Sequence, residues 1–173
     1  MLLVMTPIMS LYHSDVVVTS QTKDTRAVLK ALYIYNFATL TDWPSSYKSG
    51  NFVIGVLGDS KVFDELQKKY RGKVIGRQKI VVEKISVDEI SNKTVHLLFI
   101  ASDQASKTNM LSNKLQDKST LIVSEKNGSL SSGAVINFIV DNNKQAYEIS
   151  RKNAKLRKLV IASKLVDLAS RVE

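Results

Sequence analysis

Apolar and polar positions along this chain alternate between a helical rhythm and short unbroken apolar runs. Over residues 25–40 the side chains Val28, Leu29, Leu32, Tyr35, Phe37 and Ala38 recur at helical spacing, which predicts a first helix of unusual aromatic content. It ends at Thr41-Asp42-Trp43-Pro44, because proline disfavours the helical conformation at the residue before it. Residues 45–50 read as loop. The continuous apolar stretch 52–57 has the length of a strand buried on both faces, and Gly58-Asp59-Ser60 turns it into an amphipathic helix over 62–70. A β-branched stretch at 79–85 and an apolar one at 94–101 predict two more strands, the second entering a helix at Ser102-Asp103. Residues 121–123 form a further short strand. After a turn-rich stretch, 134–140 and 145–149 flank Asp141-Asn142-Asn143 as a hairpin. The remainder, 151–172, is helical in composition, with Leu159-Val160-Ile161 as a candidate extended break. Buried strands separated by helices predict a three-layer α/β sandwich: a mostly parallel sheet, helices on both faces, and a C-terminal antiparallel hairpin.

The length of 173 residues suits one domain, assigned to residues 25–173. The chain has no cysteine, which excludes disulfides, thiolate nucleophiles and cysteine-held metals. A formal charge of +9 would suit nucleic acid, but the basic residues are interleaved with Asp64, Glu65, Glu83, Asp88 and Glu89. The most basic stretch, 144–164, carries a single aromatic residue, Tyr147, and so lacks a stacking platform; no nucleic-acid partner is expected. The first 14 residues are apolar, too short for an ordinary membrane span, and lack a leading Lys or Arg. Residues 1–24 therefore read either as a signal peptide or as an N-terminal arm.

Candidate chemistry is sparse. The two histidines are His13, in the N-terminal arm, and His96, inside an apolar strand and expected to be a core or edge residue with one hydrogen bond. Phosphate-loop, zinc-protease, nucleophile-elbow and dinucleotide motifs are missing, so neither an enzyme nor a cofactor is expected. Asp59 and Asp103 each follow a strand and precede a helix, the position of an N-cap. The segment 128–133 is read as a flexible connection, although connecting loops often carry recognition, which makes Ser132 and Gly133 contact candidates. The least ordinary feature is the aromatic group Tyr33, Tyr35, Phe37, Trp43 and Tyr47. Tyr33 and Tyr35 point about 200° apart on a helix, so at least one is expected to face outward and to form a contact surface with Trp43. Arg77, after Gly76 and between a helix and a strand, is a candidate to hold a carboxylate or backbone carbonyls by its planar fork.

The stretches 30–44 (KALYIYNFATLTDWP), 52–60, 72–82, 96–102, 121–150 (with GAVINFIV) and 162–169 together resemble the YfiR/HmsC-like family of periplasmic regulatory proteins. That resemblance implies an exported α/β protein without enzymatic activity, which makes residues 1–24 a signal peptide and the location periplasmic. It implies a regulator that restrains a membrane-bound signalling protein of the diguanylate cyclase or sensor kinase type. A small-ligand-binding periplasmic sensor is the alternative, and a homodimer is left open. Partner or ligand contacts are expected at Tyr33, Tyr35, Trp43, Arg77, Ser132 and Gly133. The chain departs from the family pattern at Gln78, where proline is usual, at Ser132-Gly133, where paired glycines are usual, and in lacking the family's regulatory cysteines.

Overall fold

The computed structural model describes residues 18–58 and 60–173, with side chains from residue 25 onward. Helix α1 (Val18–Thr39) leads into strand β1 (Thr41–Asp42), a 3-10 turn (Ser45–Tyr47), β2 (Phe52–Leu57), α2 (Lys61–Tyr70), β3 (Val74–Ile75) and β4 (Gln78–Lys84). Then follow β5 (Leu97–Ile100), a 3-10 segment (Ser102–Lys107), α3 (Thr108–Lys114), β6 (Leu121–Ser124) and the hairpin β7 (Ile136–Asp141) and β8 (Lys144–Ile149). The C-terminal part holds α4 (Arg151–Leu156), β9 (Val160–Ile161), α5 (Ser163–Asp167) and β10 (Arg171–Val172).

The main sheet has the order β10-β8-β7-β6-β5-β2-β4-β3. Its five central strands are parallel, and β7 and β8 form the expected antiparallel hairpin. Numbered along the chain, the parallel strands lie in the order 2-1-3-4-5, one of the two common doubly wound arrangements. Alternation along each buried strand divides the core between the two faces. Leu97, Phe99, Leu121 and Val123 meet Ile34, Phe37 and Leu66 from α1 and α2. Leu98, Ile100 and Ile122 meet Leu111 from α3 and Leu115 just after it. Full burial of side chains such as Phe37 or Ile34 stabilises the fold by about 1.5–3 kcal/mol each.

Several local expectations are corrected. The C-terminal stretch is not one long helix: the break at 159–161 is real, and residues 171–172 form an edge strand parallel to β8, paired as Arg171↔Glu148. Strand β9 pairs with β1 in a separate two-stranded sheet, which ties the end of α1 to the C-terminal segment. Arg77 does not sit between a helix and a strand. It lies with Gly76, at φ +59°, in the two-residue turn of the β3–β4 hairpin, a turn geometry that requires positive φ. Asp59 lies outside the described residues, and Ser60 caps α2, its Oγ accepting from the Val62 N–H at 3.1 Å. Asp103 is not a cap either, because the segment after β5 begins one residue earlier as a 3-10 turn; the Ser102 N–H donates to Glu125 Oε1 at 2.9 Å. Nor is 128–133 a loose connection: Ser129 and Leu130 are buried, and Ser129 Oγ donates to Ser124 Oγ at 3.1 Å.

Candidate functional site

In open α/β sheets ligands usually bind at the carboxyl ends of the strands where the strand order reverses, here between β2 and β5. A cavity of about 440 Å³ lies there, bordered by Arg26, Lys30, Ser60, Ser102 and Glu125. Its one carboxylate is already engaged. Lys30 is ion-paired with Glu125, whose side chain is only 10% exposed and which also takes the Ser102 N–H. Among the described residues no cluster of His, Asp or Glu could hold a metal ion, and no helix is long and apolar enough to cross a membrane.

The opposite end of the sheet is organised around His96, just before β5. The ring is 2% exposed and bonded on both sides, where one bond was expected. The Val53 N–H donates to Nδ1 at 3.1 Å, so the ring proton sits on Nε2, which donates to the Tyr47 carbonyl at 2.8 Å. Burial holds the His96 pKa below its ordinary value, against the opposing pull of the Tyr47 bond. The side chain of Gln78, 7% exposed, donates from Nε2 to the carbonyls of Tyr47 and Ser49, each at 3.0 Å. Two buried side chains thus fasten the loop after Pro44 to the sheet. Gln78, where the family usually has proline, fills a role that proline could not.

That fastened loop places Trp43. The indole is buried at 6% exposure, edge-on to Phe52 with ring centroids 5.0 Å apart and 6.2 Å from His96. The expectation of an outward-facing Trp43 is therefore corrected: Pro44 turns the chain, but the turn tucks the ring inward against partners far along the chain. One side of the ring still borders a pocket of about 490 Å³, together with Thr41, Phe52, Ile75 and Arg77. Arg77 is exposed, and no carboxylate or carbonyl holds its guanidinium among the described residues, contrary to the expectation. Trp43 and Arg77, two sequence candidates 34 positions apart, do share one pocket.

The remaining candidates lie elsewhere. Tyr33 and Tyr35 are both half-buried, and neither faces freely outward as expected, because α1 is flanked on two sides. Tyr33 packs with Phe37, Phe138 and Tyr147 towards the hairpin, while Tyr35 stacks on Tyr70 at 4.4 Å beneath the Lys73 ammonium. Neither completes a surface with Trp43. Ser132 and Gly133 sit beside α3. Gly133 has φ +94°, and a Cβ there would lie 2.0 Å from Ser112 Oγ, so close packing accounts for the glycine. Ser112 in turn helps hold the buried Arg157. That guanidinium donates to Ser112 Oγ and the Leu115 carbonyl, both at 2.8 Å, and to the Ser112 carbonyl at 3.2 Å.

The residues alone did not single out the C-terminal segment. Leu156, Val160 and Leu168 are 68%, 66% and 67% exposed within thirteen positions; Val160 borders a groove of about 470 Å³ between α4, β9 and α5, while Leu156 borders a separate one beside Gly133 and Arg157. Arg151, Lys155 and Lys158 rim the groove at Val160. The signal for it in the sequence is the apolar run Leu159-Val160-Ile161 between Lys158 and Lys164.

These features define a doubly wound α/β domain whose conspicuous surfaces are an apolar C-terminal segment and a tryptophan-walled pocket. The chain belongs to the YfiR/HmsC-like family, whose model matches residues 27–170, and that family is regulatory rather than catalytic. No curated protein matches the chain.

Proposed function

We propose that this protein is a non-enzymatic, exported regulator that binds and restrains a membrane-bound signalling protein, of the diguanylate cyclase or sensor kinase type, through its C-terminal segment. The observation that carries the reading is the concentration of exposed apolar side chains at Leu156, Val160 and Leu168 within a family of regulators. Large exposed apolar side chains gathered in one short segment are what an interaction surface leaves on a folded domain. The rim of Arg151, Lys155 and Lys158 favours an acidic counterpart, since charge complementarity steers the encounter and rejects wrong partners.

Affinity capture from membranes, with the tagged full chain as bait, tests this reading. The expected result is one membrane protein with a sensing domain outside the cytoplasm, lost when Leu156, Val160 and Leu168 are all replaced by serine. Capture that survives the triple replacement, or no capture by the wild-type chain, would overturn it. Fractionation of the producing cells tests the export, with the protein expected in the periplasmic fraction.

A second reading, a sensor of small molecules, is favoured by the pocket bordered by Trp43 and Arg77.

A further inference from the structure

We propose that the pocket bordered by Trp43 and Arg77 is a binding site for a small organic anion, separate from the C-terminal surface. Two of the residues that line it each carry a buried polar group without a partner: the Trp43 indole N–H and the Thr41 hydroxyl. Trp43 is 6% exposed and Thr41 8%. Buried donors are nearly always paired in folded proteins, because an unpaired one forfeits its bond to water without replacement. The orphaned indole N–H, a donor only, calls for an acceptor, and the hydroxyl accommodates either a donor or an acceptor.

The charge at the mouth indicates the sign of the ligand. The one carboxylate there, Asp42, is paired with Lys48 at 2.7 Å, which leaves the Arg77 guanidinium as the unmatched charge. A guanidinium on a hairpin turn presents a planar fork that fits a carboxylate or a phosphate. Phe52, Ile75 and the face of Trp43 supply apolar walls, and about 490 Å³ lies within the range of small-ligand sites. The ligand class is therefore a carboxylate or phosphate ester with a compact apolar body and one further acceptor.

The chain contains a single tryptophan, so its indole N–H gives one cross-peak in a proton–nitrogen correlation spectrum and reports on this pocket directly. The full chain is titrated with benzoate, with phenyl phosphate and with neutral benzyl alcohol. At least one anion is expected to move the indole cross-peak saturably, and the alcohol is not. The better anion identifies the head group. Arg77→Gln should weaken that binding about tenfold or more, the scale of a lost charge-assisted hydrogen bond, with Arg77→Lys in between. Because Arg77 is exposed and holds nothing in the fold, the urea midpoint of Arg77→Gln should equal that of the wild type. Thr41→Val should weaken binding less than Arg77→Gln does. The proposal is overturned if neither anion moves the cross-peak, if benzyl alcohol binds as tightly, or if Arg77→Gln binds unchanged. Membrane capture does not enter this experiment, so its failure and that of the regulatory reading are separable.

Discussion

Replacing Arg157 by methionine removes a guanidinium while keeping most of the side chain's apolar length. The residue is 5% exposed, and its donors end on the Leu115 carbonyl, the Ser112 carbonyl and Ser112 Oγ, at the C-terminus of α3. Two effects compete. Burial disfavours the charge and pulls its pKa down to about 10, still well above neutral pH, so relief from desolvation favours methionine. Against that, a buried salt bridge replaced by apolar groups loses both charges together, whereas here the acceptors remain. A buried carbonyl left unpaired costs about 1–3 kcal/mol, and bonds from charged donors are worth about 1.5–3 kcal/mol each. The carbonyls also lie at a helix C-terminus, where a cation adds about 0.3–1 kcal/mol. The acceptor side wins, and Arg157→Met should lose about 3 kcal/mol. For a chain of this size each kcal/mol moves Tm by about 2–4 °C, so Tm should fall by about 6–12 °C. Arg157→Lys keeps the charge but cannot span Leu115 and Ser112 with one ammonium, and should lose about half as much. Urea unfolding followed by far-ultraviolet circular dichroism measures all three proteins. A methionine variant within 1 kcal/mol of the wild type, or more stable than it, would refute the assignment of Arg157 as the clamp on α3.

Three further perturbations test the packing. His96 is held neutral with its pKa below the unfolded value near 6.5, so the unfolded chain takes up the proton first, and stability present above pH 6.5 is lost as pH falls; the urea midpoint should drop between pH 7 and 5, and less steeply in His96→Gln. Gly133→Ala places a Cβ 2.0 Å from Ser112 Oγ and should cost more than Gly50→Ala, where φ is also positive but nothing lies within 4 Å and only a backbone cost of about 1–2 kcal/mol applies; equal losses in chemical denaturation would argue against close packing at Gly133. Trp43→Ala should lose about 3–5 kcal/mol of unfolding free energy, the range for a large core aromatic, and a loss under 1 kcal/mol would place the ring outside the core.

Much of the fold was legible because buried parallel strands leave unbroken apolar runs. Residues 52–57 coincide with β2 for that reason, and the helix predicted over 62–70 matches α2 to within a residue. The two-residue strands β1, β3 and β10 were not legible, since two residues carry no periodicity, and β9 showed only as an extended break at 159–161; their pairing depends on partners such as Glu148 or Ile161 elsewhere in the chain. The candidate site divides along the same line. Trp43 and Arg77 stood out by residue type and local turn chemistry, but Pro44 reveals only that the chain bends, not towards which neighbours. Phe52 and His96 decide that Trp43 goes inward. Tyr33 and Tyr35 diverge on the helix as their spacing requires, yet both are half-buried, because the hairpin covers one tyrosine and α2 the other.

The regulatory reading is tested most directly by a photo-activated cross-linking residue placed in the full chain inside the cells that produce it. At Leu156, Val160 or Leu168, irradiation should yield a discrete adduct with one membrane protein; at Lys79, an exposed position on β4, it should yield none. Adducts of equal strength from Lys79, or none from the three apolar positions, would contradict the claim that this C-terminal surface engages a membrane partner.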